Sequence, residues 1–466
     1  GLSRELELRG NAVEIILPKY DCMQYGHIWG LEVTYRDLWV PWFSGHVHCT
    51  VYFGFVHGRK CFFIEPHSGD NFFNRGAYYG FQDEDLRFAF FAKAALEYML
   101  KSGKRPDVIH THDWQAGLLP VLLYEIYKFH GMDRQRVCHT IHNFRHQGIV
   151  GERVLWMTGL GRPHYYFDPR RMQDDFNGRA LNITKAAIVY SNFVTTVSPH
   201  HAWEARHTNQ GFGLSGILAA HQSKFGGVLN GLDYETWNPE TDGSIARRYS
   251  SERIQLKYEN KAALRRRLLL ADGYKPILAY VGRLDSQKGV HLIRHGLHYA
   301  LNSGAQFVLL GASPEHTIHA EFAELKRRLN DNPNCHIELG FDEDLARLIY
   351  AGADLLVVPS LYEPCGLTQL IGLRYGTVPV VRAVGGLADT VFDVDYAPHA
   401  NGHRNGYVFD HADQRGLESA LERAFGLWNH FPCEFRALAE NGMQQNHSWS
   451  EPGRHYVNIY DYIREK

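Results

Sequence analysis

Short apolar runs alternate with amphipathic helical patterns along most of the chain. In the first half, VEIILP (13–18) and PDVIHTHD (106–113) have the length of strands, while DLRFAFFAKAALEYMLKSG (85–103) has helical spacing. The alternation begins again at PILAYVGRL (276–284) and continues through AQFVLLG (305–311). Because alternating strands and helices predict βαβ units and parallel sheets, two successive runs indicate two doubly wound α/β domains.

A polar segment rich in turn formers separates the two runs. Residues 238–244, NPETDGS, precede a charged helical pattern around 251–270. Clusters of Asn, Pro, Asp, Gly and Ser are typical of loops rather than of helices or strands. We therefore place the first domain at 1–243 and the second domain at 244–449.

Residues 47–64, VHCTVYFGFVHGRKCFFI, interrupt the alternation and predict a β-hairpin with HGRK at the turn. The surrounding region, 25–81, is crowded with aromatic residues. Core packing is the favoured interpretation for most of them, because aromatic rings bury large apolar areas. A sugar-stacking surface is the functional alternative.

Composition narrows the classes of protein that fit these patterns. The 466 residues are 44% apolar and 21% charged, which excludes a disordered or fibrous chain. Lys and Arg number 49 against 51 for Asp and Glu, so the net charge of −2 argues against nucleic acid as the main partner. No apolar run approaches the roughly eighteen residues that indicate a membrane span.

Cysteine and histidine patterns do not indicate a metal site. The seven cysteines are odd in number and form no C-x-x-C, so neither a disulfide framework nor a zinc ribbon is expected. The HTHD sequence at 110–113 resembles a metal cluster, but no Cys or H-E-x-x-H pattern supports it. Structural or substrate-contacting histidines are the favoured interpretation.

Several residues that follow predicted strands of the second domain suit an anion. In open α/β sheets, ligands bind beyond the carboxyl ends of the strands. Arg283 and Lys288 follow the first of these strands and could clamp a diphosphate. Gly366 and the Gly385-Gly386 pair each lie where a helix is predicted to begin, and free N–H groups at a helix start favour anions.

Glu363 stands just before Gly366, where charge alone would not place a carboxylate beside a phosphate. A carboxylate at that point is better suited to accept hydrogen bonds from hydroxyl groups. The combination predicts a nucleotide-diphosphate ligand that carries a hydroxyl-rich group. The chain contains no G-x-x-x-x-G-K-[ST], so a P-loop NTPase is not expected.

These segments resemble a known family. RLDSQKG (283–289), PSLYEPCGLTQ (359–369) and VGGLADTV (384–391) closely resemble bacterial glycogen synthases and plant starch synthases, which are retaining glucosyltransferases of the GT-B architecture. The first half agrees at HTHDWQA (110–116) and IHNFRHQG (141–148). The chain looks most like the cyanobacterial enzymes related to plant starch synthase classes III and IV.

The resemblance implies a GT-B fold of two Rossmann-like doubly wound domains that face a central cleft. It also implies that the last helix, 450–466, crosses back onto the first domain. GLSRELELRG (1–10) is similar to the end of the helix that follows a first strand and a K-x-G-G-L loop in the family. We therefore expect that strand and loop to be missing, and VEIILP to be the second strand rather than the first.

The resemblance also implies roles for individual residues. Arg283 and Lys288 would neutralise the donor diphosphate and stabilise the leaving ADP. Glu363 would bind hydroxyls of the transferred glucose. His142 and Asn230 would position that glucose from the first domain.

Further positions are implied around the donor and the acceptor. Asp113 would lie near the acceptor. Phe341 stands where the family commonly stacks a Tyr on adenine, and it keeps the stacking face without the hydroxyl. The donor would also contact Cys365, Gly366, Leu367, Thr368, Gly385 and Gly386.

The implied reaction transfers glucose from ADP-glucose to the non-reducing end of an α-1,4-glucan, with retention of configuration and release of ADP. It would need no cofactor and no metal. The partners would be ADP-glucose and a glucan or malto-oligosaccharide, without nucleic acid or membrane, while the sequence does not indicate the oligomeric state. The compartment would be the cytoplasm in a bacterium and the plastid stroma in an alga or plant.

Three other functions compete with this interpretation. The first is a transferase that uses another nucleotide sugar. The second is a phosphorylase-like GT-B enzyme with pyridoxal phosphate, although no segment marks a Schiff-base lysine. The third is a glucan-binding or initiating scaffold that has the same fold and little turnover.

Overall fold

The computed structural model describes residues 1–398 and 403–466, which form two compact units. Unit 1 consists of Gly1–Val197, Ala202–Val228 and Ser450–Lys466. Unit 2 consists of Ser198–His201 and Leu229–Trp449.

Strands and helices alternate through most of both units. The strands are β1 Ile15–Pro18, β2 Ile28–Trp42, β3 Gly45–Val56, β4 Arg59–Pro66, β5 Val108–His112, β6 Arg136–Ile141, β7 Ile149–Val150, β8 Leu181–Asn182, β9 Phe193–Thr196, β10 Phe225–Gly227, β11 Ile277–Arg283, β12 Gln306–Ala312, β13 Cys335–Leu339, β14 Leu355–Val358, β15 Val378–Arg382 and β16 Tyr407–Phe409. The helices are α1 Leu2–Leu8, α2 Glu84–Lys101, α3 Asp113–Ala116, α4 Leu119–Glu125, α5 Arg153–Thr158, α6 Pro163–Tyr166, α7 Ile183–Tyr190, α8 Pro199–His207, α9 Ser215–Ala220, α10 Lys257–Leu268, α11 Val290–Asn302, α12 His316–Leu329, α13 Glu343–Gly352, α14 Thr368–Arg374, α15 Gly385–Thr390, α16 Gln414–His430, α17 Pro432–Gln444 and α18 Ser450–Arg464.

Unit 2 is built on one parallel sheet with the strand order β13-β12-β11-β14-β15-β16. The chain moves outward from β11 to β13 and then returns to place β14 on the other side of β11. This is the doubly wound arrangement predicted from the second run of strands and helices. The strand order reverses between β11 and β14, and in such sheets that reversal is where ligands bind.

Unit 1 contains two four-stranded sheets. The first has the order β1-β4-β3-β2 and includes the predicted hairpin, whose strands β3 and β4 turn at His57 and Gly58. The second is parallel, with the order β10-β9-β6-β5. β1 and β5 lie at the edges of different sheets and are not paired with each other.

The aromatic residues between 25 and 81 separate into two groups. Trp42, Phe72 and Phe73 are buried in the core of unit 1, where Trp42 and Phe72 pack on Phe90 of α2. Trp29, Trp39, Tyr78 and Tyr79 are exposed. Core packing therefore accounts for only part of the aromatic content of this region.

Residues 229–243, which were predicted to belong to the first domain, lie in unit 2. Leu232 is 3% exposed within the core of unit 2, and its N–H donates to the carbonyl of His447 at 2.7 Å. A Cβ at Gly231 would lie 2.5 Å from the backbone of Trp449. This stretch is held by residues near the end of unit 2, which no local pattern around 238–244 reveals.

The helix α18 belongs to unit 1. It packs on α1 and on β6, and the Arg9 guanidinium donates to the carbonyl of Ser450. Among the described residues, none of the helices combines the length and the apolar character that crossing a bilayer requires.

Candidate functional site

The loops that follow β11 and β14 are joined where the strand order of unit 2 reverses. The carbonyl of Gln287 accepts the N–H groups of Leu361 and Tyr362 at 2.7 and 3.3 Å. Gly289 has φ +68°, and a Cβ there would lie 2.3 Å from the carbonyl oxygen of Pro359. Glycine is required at 289 because the two loops approach this closely.

Glu363 and Lys288, predicted to act on different parts of the ligand, contact each other. Glu363 is 7% exposed, and its Oε2 accepts hydrogen bonds from Lys288 Nζ at 2.6 Å and from Ser360 Oγ at 2.8 Å. Its other oxygen, Oε1, accepts no hydrogen bond from the described residues. One side of the carboxylate is therefore fixed by the protein, and the other is available to hydroxyl groups. Ser360 was not among the residues predicted from the sequence.

Arg283 is held much more loosely than Lys288. Its side chain is 67% exposed, and its guanidinium lies 3.5 Å from the carboxylate of Asp285. That carboxylate also accepts the N–H groups of Gln287 and Lys288 at 3.0 and 3.2 Å, so it organises the loop. The Arg283 guanidinium remains accessible to an anion at the carboxyl end of β11.

The glycines at 385 and 386 allow α15 to pack against the backbone beside Glu363. Gly385 has φ +47°, and a Cβ there would lie 1.9 Å from the carbonyl oxygen of Glu363. A Cβ on Gly386 would lie 2.0 Å from the carbonyl oxygen of Cys365. The Gly386 N–H donates to the carbonyls of Glu363 and Pro364, both at 3.1 Å. This N–H group is engaged with the protein, so the glycine pair shapes the loop that carries Glu363.

Gly366, Leu367 and Thr368 lead into α14. Gly366 has φ +74°, which favours glycine, and Leu367 is 46% exposed. The Thr368 hydroxyl is hydrogen-bonded to Tyr350. Gln369, the second residue of α14, donates from Nε2 to the carbonyls of Cys365 and Gly366. A side chain of α14 therefore holds the turn that leads into this helix.

Asn230 lies in unit 2, which corrects the expectation that it acts from the first domain. The chain has already crossed into unit 2 at Leu229, and the Asn230 N–H donates to the sulfur of Cys365. Burial raises the pKa of the Cys365 thiol to about 12. Cys365 is therefore an uncharged packing residue beside Glu363 rather than a nucleophile.

Phe341 follows β13 and is 90% exposed. An exposed ring at a sheet's carboxyl edge is available for stacking on a flat ligand. The structure thus brings Arg283, Lys288, Glu363, Asn230, Cys365 and the glycine turns together around β11, β14 and β15, with Phe341 at the end of β13, two strands from β11.

In unit 1, Asp113 and His142 are linked through the backbone. The Asp113 carboxylate accepts the His142 N–H at 2.7 Å and also the N–H of Asn143. Asp113 has φ +56°, a conformation that Asp and Asn tolerate better than most residues. Burial raises the pKa of Asp113. The carboxylate therefore holds the loop on which the His142 side chain is carried.

The histidines of the HTHD sequence interact with rings and hydroxyl groups. His110 hydrogen-bonds to Tyr460 through Nδ1 at 2.6 Å and to Thr140 through Nε2 at 2.7 Å. Its ring stacks on His112, whose Nδ1 lies 3.1 Å from Nε2 of His142. No group of three or more His, Cys, Asp or Glu side chains suited to a metal ion occurs within 1–398 and 403–466.

A polar cavity of about 660 Å³ lies in unit 1 and is lined in part by Trp114, the residue after Asp113. Its wall also includes Glu84, Arg145 and the paired side chains of Arg153 and Asp85, which are 2.7 Å apart. The volume falls within the range of about 300–1,000 Å³ that is usual for small-molecule sites. Because positive and negative side chains are balanced along its wall, the cavity suits a neutral, hydroxyl-rich ligand.

Comparison with known families supports the resemblance noted in the sequence. Residues 1–220 match the family model described as starch synthase catalytic domain, and residues 275–426 match glycosyl transferases group 1. Glycogen synthase 1 of Trichormus variabilis is 62% identical over 100% of this chain and 95% of its own length. Glycogen synthase 2 of Methylococcus capsulatus is 60% identical over 100% of this chain and 96% of its own length.

Solved structures agree with the sequence comparisons. The catalytic domain of starch synthase IV from Arabidopsis thaliana, bound to ADP and acarbose, superimposes with a TM-score of 0.96 at 41% identity, over 100% of this chain and 95% of that one. A sucrose-phosphate synthase from Thermosynechococcus elongatus superimposes with a TM-score of 0.60 at 20% identity, over 99% of this chain and 91% of that one, which shows the fold alone.

Proposed function

Because this chain belongs to the glycogen synthase and starch synthase family of GT-B glucosyltransferases, we propose that it transfers glucose from ADP-glucose to the non-reducing end of an α-1,4-glucan. The observation that carries the proposal is the Glu363–Lys288 pair beside Arg283, at the point where the strand order of unit 2 reverses. Two cationic side chains that can bind a diphosphate lie there with a carboxylate that can bind hydroxyl groups.

The proposed chemistry follows from where charge develops. As the bond from glucose C1 to the phosphate oxygen breaks, negative charge grows on ADP, and Arg283 and Lys288 stabilise it. Oε1 of Glu363 accepts hydrogen bonds from the glucose hydroxyls while Oε2 is held by Lys288 and Ser360. We propose attack on the same face, with the departing phosphate accepting the proton of the acceptor hydroxyl, so that configuration is retained.

We propose that no metal ion or other cofactor takes part. The two basic side chains, Arg283 and Lys288, supply the positive charge that a metal would supply to a departing diphosphate. Turnover with and without excess EDTA checks this, and a loss of activity that added Mg²⁺ restores would contradict it.

In unit 1, we propose that His142 contacts the transferred glucose and that Asp113 lies near the acceptor. The cavity lined by Trp114 supports a glucan as the acceptor, because its balanced polar side chains suit a neutral, hydroxyl-rich chain. Asp113 acts in part by holding the His142 backbone at 2.7 Å.

The test of the proposed function is incubation with ADP-[14C]glucose and glycogen. Incorporation of label with release of ADP supports the synthase. Glucan binding without incorporation supports a scaffold, and transfer that depends on glucose 1-phosphate supports a phosphorylase. The synthase names of the relatives do not favour the scaffold.

We expect ADP-glucose to be strongly preferred over UDP-glucose, because the exposed Phe341 ring suits stacking on a purine. Phe341→Ala should raise the KM for ADP-glucose and reduce this preference. Phe431→Ala is a matched control, since Phe431 is also exposed but follows α16. Equal kcat/KM for both donors in the unmodified protein would contradict the expectation.

A further inference from the structure

Few side-chain contacts restrain the Arg283 guanidinium. Its side chain is 67% exposed, and the Asp285 carboxylate, 3.5 Å away, is its only ion-pair partner among the described residues. Few contacts therefore hold the side chain where a diphosphate would need it. The main chain at the end of β11 fixes the Cα–Cβ direction from which this side chain reaches a diphosphate.

Tyr280 contacts that main chain directly. It lies three residues earlier on β11, is 3% exposed, and its hydroxyl donates to the carbonyl of Arg283 at 2.5 Å. The next residue is held as well, because the Leu284 N–H donates to the carbonyl of Ala312 at 2.8 Å. The strand end that carries Arg283 is thus fixed by a side chain on one side and by the neighbouring strand on the other.

The backbone between these residues is shaped to admit the hydroxyl. Gly282 has φ +156°, and a Cβ there would lie 3.3 Å from the Tyr280 oxygen. A larger residue at 282 would crowd the hydroxyl and strain the backbone. Glycine at 282 and tyrosine at 280 therefore form one local arrangement.

We propose that Tyr280 is a positioning residue for donor binding, which acts by holding the Arg283 carbonyl so that the guanidinium is presented to the diphosphate. The inference rests on the proposed function and adds a residue that neither the sequence motifs nor the family resemblance singled out. Burial raises the pKa of Tyr280 well above its usual value, so the hydroxyl keeps its proton and remains a donor at neutral pH. An apolar residue would fill the same space in this strand but would leave the carbonyl without its partner.

The first test is ADP binding by titration calorimetry, which needs no turnover. Tyr280→Phe removes one hydroxyl and should weaken ADP binding by up to about tenfold, because the contribution of the lost intramolecular hydrogen bond is the most that its absence can withdraw from the arrangement that binds ADP. Tyr249→Phe is the matched control, because Tyr249 is 1% exposed in the same unit and its hydroxyl donates to the carbonyl of Tyr375 at 2.7 Å. It should leave ADP binding unchanged.

The second test is a double-mutant cycle with Arg283→Ala. If Tyr280 acts through Arg283, Tyr280→Phe should cost no further ADP affinity once the guanidinium is gone. The KM for a malto-oligosaccharide acceptor should not change in Tyr280→Phe. Unchanged ADP affinity in Tyr280→Phe, or an equal loss in the Arg283→Ala background, would overturn the proposal. A wild-type protein that does not bind ADP would instead overturn the proposed function, and this inference with it.

Discussion

The two oxygens of the Glu363 carboxylate have different surroundings. Oε2 is bonded to Lys288 and Ser360, whereas Oε1 has no partner among the described residues. Glu363→Ala should lower kcat by at least about 10²-fold, because hydrogen bonds that strengthen in the transition state are lost. The change is measured as incorporation of labelled glucose into glycogen.

The control for this variant is Glu338→Ala. Glu338 also pairs with a lysine, Lys326, at 3.0 Å, but on the surface, so its removal should leave turnover unchanged. Both variants should keep the circular dichroism spectrum of the parent. A folded Glu363→Ala protein with near-normal kcat would remove Glu363 from the site.

Asp113 combines a positive φ with a buried carboxylate that holds a loop. Asp113→Asn keeps both an acceptor for the His142 N–H and a side chain that tolerates φ +56°. Asp113→Ala keeps neither and should lower the free energy of unfolding by about 1–3 kcal/mol. Urea unfolding of the two variants measures the difference.

Equal unfolding midpoints for the Asn and Ala variants would show that the bond to the His142 backbone does not hold the loop. If Asp113→Asn is as stable as the parent but inactive, the negative charge itself is needed for the reaction. Both results separate the role of Asp113 in the fold from its role near the acceptor.

At the scale of elements, the start of α15 can contact the Glu363 loop only because residue 385 is a glycine and has no side chain. Gly385→Ala would place a Cβ 1.9 Å from the Glu363 carbonyl, so the loop must move. We expect a loss of activity of about 10²-fold or more, because a displacement of about 1 Å at a reacting group has that effect. The Tm should fall as well.

Gly426→Ala is the matched control for the glycine turn. Gly426 lies inside α16, and a Cβ there would contact nothing within 4 Å. Alanine is the better helix former, so this variant should be as stable as the parent or more stable by up to about 1 kcal/mol. A Gly385→Ala protein with parental activity would show that the two loops can separate without consequence.

The spacing of apolar residues was sufficient to predict most helices and strands, because a buried strand and an amphipathic helix each have a characteristic apolar pattern. The hairpin at β3 and β4 and the second α/β run were predicted in this way. The 15-residue strand β2 was not, since its exposed and buried positions do not alternate regularly and its pairing with β3 shifts register between Trp29 and Leu38. A strand of that kind has no simple two-residue pattern to detect.

The site was predicted residue by residue from motifs, but its pairings were not. Arg283, Lys288 and Glu363 were identified as separate binding groups, whereas the structure joins Lys288 to Glu363 through Oε2. Tyr280 was missed because it lies in an apolar strand sequence, where a hydroxyl carries no recognisable spacing. Ser360 lies after β14, within the motif at 359–369, but no spacing there indicates that its hydroxyl bonds to Glu363. Their importance depends on which carbonyl or carboxylate folding brings to them.

At the scale of the whole molecule, a histidine buried in unit 1 makes stability depend on pH. His139 is fully buried, and burial lowers its pKa to about 3, against about 6.5 in the unfolded chain. Between these values the unfolded state binds a proton that the folded state does not. The contribution of His139 to the free energy of unfolding is therefore complete above pH 6.5. It decreases by about 1.4 kcal/mol per pH unit as the pH falls from 6.5 toward 3.

Urea unfolding of the whole protein between pH 7 and pH 5 measures this dependence. The free energy of unfolding should fall with pH, and His139→Gln should make the slope shallower. His319→Gln, which removes an exposed histidine of α12, should leave the slope unchanged. A slope that is the same in all three proteins would contradict the assignment to His139.

The boundary between the two units could not be predicted from local sequence patterns. The segment 229–243 was placed in the first domain because the boundary was set at the polar stretch 238–244, yet the Leu232 N–H donates to the carbonyl of His447 in unit 2. Asn230 was misassigned for the same reason. Contacts between residues more than two hundred positions apart determine the boundary, and no window of the sequence contains both partners.

The discontinuity of unit 1 has a consequence for synthesis on the ribosome. Domains usually complete their folding in order from the N-terminus as the chain emerges. Here all of unit 2 has been translated by Trp449, whereas unit 1 still awaits α18, whose Tyr460 hydrogen-bonds to His110. The later-made half is therefore the first to have every residue it needs. A nascent chain that lacks α18 leaves uncovered the face of unit 1 on which α18 packs, so chaperones would have to protect that face until α18 has been made.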